Sequence, residues 1–291
     1  MAQNIILPNQ MPCAMWGWRI EIVPFVTIGG ITLHHRHVRA AGNARAIIFI
    51  NSLGTDFRIW DDVVAALDGE MSWLVYDKRG HGLSDIGDIR SIDDHVDDLL
   101  GLVDHFGLEK VVLCGLSVGG MIAQGLYARR PEIVEAMILC DTAHKIGTNE
   151  SWNTRIAVVE RKGIQAIADG VLKVWFTPAF HTARVAELDG YWNMMTRQAL
   201  AGYIGTCRAV RDADFTDAAR RIAVPTLCVV GDQDGSTPPD LVRSLAALIP
   251  GARFEIIRDA GHIPCVEQPK ALVALIRDFV ASLAPGAQTN G

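Results

Sequence analysis

Lys110-Val111-Val112-Leu113-Cys114-Gly115-Leu116-Ser117-Val118-Gly119-Gly120-Met121-Ile122-Ala123 is the stretch on which the reading of the whole chain turns. Its first part, 110–114, is a short apolar run of the kind found in strands covered on both faces. From Val118 to Arg129 the apolar residues recur at helical spacing. Between the two, Gly115-Leu116-Ser117-Val118-Gly119 fits the pattern G-x-S-x-G. A strand that turns straight into a helix at such a serine holds the serine Oγ out at the sheet edge, and the flanking glycines leave room for the turn and for close helix–strand packing. A serine in an ordinary glycine-rich turn would not need a strand to end and a helix to begin beside it.

Outward from this turn, strand-like and helix-like segments alternate from about Pro24 onward. The runs 25–28 and 31–38, separated by Gly29-Gly30, read as a hairpin. The apolar runs 46–51, 73–77, 137–141 and 226–231 read as buried strands, with 254–257 as the last one. Helical patterns occupy 61–67, 92–106, 118–129, 239–248 and 269–283, and Ser91 is placed to cap the second. Such alternation implies an α/β fold with a mainly parallel sheet and right-handed crossovers. The rhythm breaks between 145 and 214, where only helical periodicity remains, with Trp152, Trp175, Trp192 and several arginines. Inserted after the 137–141 strand, this block would cover the carboxyl edge of the sheet, where function collects. The expected organisation is a core of 25–144 and 215–291, a helical cap of 145–214 inserted in it, and an N-terminal extension of 1–24.

The 291 residues suffice for one large core, and 49% apolar with 21% charged residues is ordinary globular composition. A net charge of −6 argues against a nucleic-acid partner, which needs a clustered basic surface. No apolar run is long enough to span a membrane, and the first residues lack the basic segment of a signal peptide. Six scattered cysteines without a CxxC pair indicate neither a zinc site nor a disulfide framework. The expected setting is a reducing cytoplasm, and the expected partner is a small molecule.

A serine hydroxyl is a weak nucleophile until a base takes its proton, and behind this kind of turn the chain order is Ser, acid, His. His262, in the loop after the last strand, is the candidate base. His34, His35 and His37 lie on an early strand, where a solvated face is the expected reading, and His81 is expected to order its own loop. In Gly231-Asp232-Gln233-Asp234, Asp234 sits further into the loop and is favoured as the acid that orients the imidazole. Asp232 suits turn hydrogen bonds, and Asp141 is another position from which an acid could reach the base. The oxyanion needs backbone donors, here the N–H of Val118 and, from the loop Asn51-Ser52-Leu53-Gly54-Thr55, that of Leu53. Asp93, Asp94, Asp97 and Asp98 read as a solvated helix face and not as a metal site.

These features resemble the α/β-hydrolase type. Several stretches are similar to one family within it, the 3-oxoadipate enol-lactonases of aromatic catabolism, from about residue 25 to residue 283. They are the Asn51–Thr55 loop with Trp60, Tyr76-Asp77-Lys78-Arg79-Gly80-His81-Gly82, the elbow through Met121, Trp175-Phe176-Thr177-Pro178, Arg211-Asp212-Ala213-Asp214, Gly231 to Pro239, and Gly261-His262 with Val266-Glu267-Gln268-Pro269. There are departures: Ala201 precedes Gly202-Tyr203 where Glu is usual, Lys78 stands where a Thr is expected, and His144 has no expected counterpart. The resemblance implies hydrolysis of a small carboxylated enol-lactone to 3-oxoadipate through an acyl-serine, with no metal and no organic cofactor. Rival readings on the same scaffold are a carboxylesterase, a homoserine lactonase, a carbon–carbon bond hydrolase, a cofactor-free haloperoxidase, or a ligand receptor that turns nothing over.

A free carboxylate on the substrate must be met by a donor when it leaves water. The cap offers Lys145, Arg155, Arg197, Arg208 and Arg211. Arg155 is favoured because it follows Trp152 by three residues, so the two share a helix face. The alternative is that Arg155 merely pairs with Glu150 or Glu160. Trp175, as pocket wall or cap core, and His144 complete the candidate substrate contacts.

Overall fold

The computed structural model describes residues 19–20, 24–40 and 45–283. Most of the extension 1–24, Cys13 included, lies outside the described residues. Within it, β1 (Arg19–Ile20) forms an antiparallel strand against the end of β3. The early hairpin is present as β2 (Phe25–Ile28) and β3 (Ile31–Arg39), with Ile28 opposite Ile31. From there the spatial order is β1-β3-β5-β4-β6-β7-β8-β9, comprising β4 (Arg45–Ile50), β5 (Ser72–Tyr76), β6 (Lys110–Leu116), β7 (Val134–Cys140), β8 (Thr226–Gly231) and β9 (Arg253–Ile257). Every pairing from β5 to β9 is parallel, while β3 runs antiparallel to β5. This is the mainly parallel sheet that the alternation implied.

Helices cover both faces, so β4, β6 and β8 are buried along nearly their whole length. That double cover is why these strands read as unbroken apolar runs. Each fully buried Val, Leu or Ile contributes about 1.5–3 kcal/mol of transfer free energy. Three helices belong to the first half: α1 (Asp61–Leu67), α2 (Ile92–His105) and α3 (Val118–Arg129). Ser91 caps α2 as expected, its hydroxyl accepting from the Asp93 N–H while Asp94 accepts from the Ser91 N–H.

Two expectations are corrected at this edge. Asp93 and Asp97 are exposed, but Asp94 and Asp98 are buried. Arg79 grips Asp98 with two parallel hydrogen bonds of 2.6 and 2.7 Å, which makes burial of that carboxylate tolerable. His35 and His37 are also buried, packed against Phe106 at the end of α2 with ring centroids 5.0 and 4.5 Å apart. Burial, then the neighbouring His105 and His34, pull the His35 pKa down to about 4. That strand face is part of the core because α2 ends over it.

Between β7 and β8 the described chain is helical: α4 (Asn149–Lys162), α5 (Gln165–Trp175), α6 (Pro178–Ala183), α7 (Val185–Thr196), α8 (Leu200–Asp212) and α9 (Thr216–Ala219). The block is seated on the core at specific points. A Cβ on Gly80 would lie 2.5 Å from Cα of Gly202, so the loop after β5 and α8 meet backbone to backbone. The described residues end with α10 (Pro239–Leu248), α11 (Pro264–Glu267) and α12 (Pro269–Ser282). No helix among the described residues is long and apolar enough to cross a membrane.

Candidate active site

The serine turn has the geometry its letters require. Ser117 adopts φ 57° and ψ −118°, a conformation costly for any residue with a side chain. Its neighbours hold it there: its N–H donates to Cys140 O at 3.0 Å, and the Thr142 hydroxyl donates to its carbonyl at 2.6 Å. The close approach also explains Gly119, where a Cβ would fall 2.1 Å from the Ile50 carbonyl oxygen. Ser117 sits between the end of β6 and the start of α3, 9% exposed.

His262 lies in the loop between β9 and α11, its N–H bonded to Trp175 O at 2.8 Å. Its ring Nδ1 is 3.0 and 2.9 Å from the two oxygens of Asp234. Asp234 also accepts from the Thr237 hydroxyl at 2.6 Å and from the N–H groups of Ser236 and Thr237 at 2.7 and 3.0 Å. Burial alone would raise its pKa, but His262 and these donors together bring it below the usual carboxylate value. Asp141 lies behind this pair, fully buried, with Oδ1 accepting from Gly231 N–H at 2.9 Å and Oδ2 without a partner. Burial, then the Asp234 charge, push its pKa well above the ordinary value. Asp232 accepts from Ala260 N–H at 3.3 Å, a turn contact. Asp141, Asp234 and His262 are also the one group among the described residues compact enough to hold a metal ion. Nδ1 and the Asp234 oxygens are already spent on each other, so the donor set is that of a hydrogen-bonded acid–imidazole pair.

A cavity of about 570 Å³ opens between the helical block and the sheet edge, and Ser117, Val118, Leu53 and His262 line it. The Ser117 hydroxyl and the His262 ring share this cavity without a direct hydrogen bond, a distance that often closes only with substrate bound. Among the described residues, neither the Leu53 nor the Val118 N–H has an acceptor, which leaves two backbone donors beside the serine. Trp152, Arg155 and Trp175 line the same cavity. The Arg155 guanidinium lies 4.9 Å from the Trp152 ring centroid, and no carboxylate among the described residues is within ion-pair distance of it. Three of the other candidate cations of residues 145–214 are engaged elsewhere: Lys145 with Asp214 at 3.3 Å, Arg208 with Glu160 at 2.7 Å, and Arg211 with Asp212 at 2.7 Å. Arg197 lines a separate hollow beside Arg58. His144 is not brought to the cavity; it lies where the block rejoins the core, its carbonyl accepting from Phe215 N–H at 2.8 Å. Leaving β7, the chain reaches the cavity only at Ile146, past His144.

Three further residues matter and were not singled out by spacing. Tyr203 lines the cavity and follows the Gly202 that lets α8 touch the core. Glu267 joins block to base loop, accepting from Thr177 N–H and hydroxyl at 3.0 and 2.7 Å and from Gly261 N–H at 2.6 Å. The third is Lys78, buried behind the Asn51–Thr55 loop. Their signal in the sequence was membership of the Gly-Tyr, Val-Glu-Gln-Pro and Asp-Lys-Arg-Gly-His-Gly stretches, and for Lys78 also its departure from the expected Thr.

Residues 47–275 match the model of the Alpha/beta hydrolase family. The chain is 32% identical over 241 residues to 3-oxoadipate enol-lactonase 1 of Acinetobacter baylyi, covering 83% of this chain and 90% of that one. It is 33% identical over 228 residues to 3-oxoadipate enol-lactonase 2 of the same organism, covering 78% and 85%. The crystal structure of the enol-lactonase from Burkholderia xenovorans LB400 superimposes with a TM-score of 0.85 and 35% identity, covering 89% of this chain and all of that one.

Proposed function

Since this chain belongs to the 3-oxoadipate enol-lactonase family of alpha/beta hydrolases, and is a hydrolase, we propose that it opens a small enol-lactone carrying a free carboxylate, giving 3-oxoadipate. The observation that carries the substrate class is Arg155, a half-buried guanidinium without an acidic partner in the cavity that holds Ser117 and His262. A carboxylate entering this space exchanges water for a charge-assisted hydrogen bond, and the Trp152 face steadies the guanidinium that supplies it.

In this reading Ser117 Oγ attacks the ring carbonyl while His262 takes its proton. Asp234 holds the ring tautomer and stabilises the imidazolium. The Leu53 and Val118 N–H groups receive the oxyanion. Collapse of the intermediate breaks the ring C–O bond and expels the enol oxygen, a better leaving group than an alkoxide; His262 returns its proton to that oxygen, which restores the neutral base, and the enol shifts to the keto form. Water, deprotonated by His262, then cleaves the acyl-serine. The helices of 145–214 act as the cap that keeps bulk water out, and the setting is cytoplasmic.

A panel of enol-lactone, homoserine lactones, neutral aryl esters and dienone acids tests the proposal, with the highest kcat/KM expected on the enol-lactone. A higher kcat/KM on any other member overturns the substrate class. Arg155→Ala should raise KM for the carboxylated lactone about ten- to a hundredfold, the range of a lost hydrogen bond to a charged group. A neutral ester of similar size should be spared. Equal losses on both would mean that Arg155 only supports the helical block.

A further inference from the structure

Lys78 places a basic side chain in the core without a counter-ion among the described residues. It is fully buried, and among the described residues no carboxylate lies within ion-pair distance of it. The nearest acids are occupied: Asp77 accepts from His34, Phe57 N–H and Leu83 N–H, and Asp56 is paired with Arg58. Burial pulls the Lys78 pKa down to about 7, and the charges of Asp77 and Asp56 oppose this only in part. His81 and His95, both buried, lie within its field, and burial followed by the Lys78 charge lowers the pKa of each. Burying an ammonium in this way costs several kcal/mol, about as much as many single core mutations. Sites that break a local rule so plainly are where function is to be sought.

Among the described residues, the single hydrogen bond of the Lys78 ammonium goes to the Ser52 carbonyl, at 2.6 Å. That carbonyl belongs to the Ser52–Leu53 peptide, whose other end is the Leu53 N–H at the cavity wall. The peptide bond is one resonance unit. A proton donor on its oxygen draws electron density from its nitrogen and makes its N–H a stronger donor, and hydrogen bonds in series strengthen one another. The same bond, with the Thr55 hydroxyl donating to Ser52 O at 2.9 Å, fixes the plane of that peptide.

We infer that Lys78 is a positioning residue for the oxyanion hole, a buried ammonium that orients and polarises the Ser52–Leu53 peptide from behind. The inference rests on the reading of Leu53 N–H as an oxyanion donor. Because the oxyanion forms only after Ser117 attacks, the effect of Lys78 falls on the transition state and not on substrate binding.

The test uses Lys78→Met, which keeps the length and removes the donor, and Lys78→Gln, which keeps a donor without charge and serves if Met compromises folding. Turnover is followed on an aryl acetate, which reports acyl-serine chemistry whatever the natural substrate. A short alkylboronic acid, which adds to Ser117 and places an anionic oxygen in the hole, measures transition-state affinity. Removing an oxyanion donor outright costs about a hundred- to a thousandfold, so weakening one should lower kcat about tenfold in Lys78→Met, with KM held within about twofold. The boronic acid should lose affinity by the same factor as kcat/KM, and Lys78→Gln should show the same pattern to a smaller degree. An unchanged kcat, a loss confined to KM, or a lowered kcat with unchanged boronic acid affinity overturns the inference. The underlying reading is checked separately on the wild-type protein, where the Leu53 amide resonance should move downfield on boronic acid addition. No movement there removes the oxyanion assignment itself; movement with both variants unaffected removes only the role of Lys78.

Discussion

Ser117→Ala is expected to lower turnover about a millionfold while leaving thermal stability unchanged. The first half of this expectation follows from the chemistry: without Oγ no acyl intermediate forms, and only binding and the oxyanion donors remain to assist water. The second half follows from the packing. Among the described residues the Ser117 hydroxyl makes no hydrogen bond, whereas its N–H and carbonyl are held by Cys140 and Thr142. Alanine keeps both backbone contacts and bears the same cost at φ 57° as serine does. Activity and melting temperature measured on one preparation check both halves. An organophosphonate should label Ser117 alone and stoichiometrically. Ser52 and Ser236 line the same cavity, so a label on either would transfer the nucleophile's role to that residue.

Asp234→Asn should lose up to about ten-thousandfold in kcat, and Asp232→Asn far less. Asp234 holds both oxygens against His262 Nδ1 and receives three further donors from Ser236 and Thr237. An asparagine must turn its oxygen toward those donors, which leaves its NH2 facing Nδ1. The imidazole then carries its proton on the wrong nitrogen and cannot act as a base toward Ser117. Asp141→Asn should be mild by comparison, because burial and the Asp234 charge already shift this carboxyl toward its neutral form, and an amide of the same shape replaces it. Steady-state rates of the three variants decide the matter. A crippled Asp232→Asn, or an inactive Asp141→Asn beside an active Asp234→Asn, would reassign the acid.

The architecture was legible wherever neighbours along the chain dictate backbone shape. The strand–turn–helix around Ser117 follows from an apolar run, a glycine-flanked serine and helical spacing, all within twenty residues. The alternation of segments yielded the parallel sheet, because strands covered on both faces must read as apolar runs. The position of His262 and Asp234 in loops after successive strands was legible on the same ground.

Side-chain partners were another matter. Asp94 and Asp98 look like a solvated face by spacing, and only the fold brings Arg79 beneath them. His35 and His37 read as exposed on an alternating strand until α2 ends over them with Phe106. Five cations of residues 145–214 were candidates for the cavity, and sorting them required knowing that Lys145 and Arg208 find acids on other segments and Arg211 pairs with its neighbour Asp212, while Arg155 finds none among the described residues. Lys78 stands out in the sequence only as a departure from the expected Thr, and the fold carries its ammonium behind the Ser52–Leu53 peptide. The sequence by itself determined the elements and their order, because φ, ψ and burial periodicity are set by residues a few positions apart. Only the tertiary structure decided which charges are paired, buried or left facing the cavity, because a long charged side chain takes its partner from whatever distant segment the fold carries within its reach.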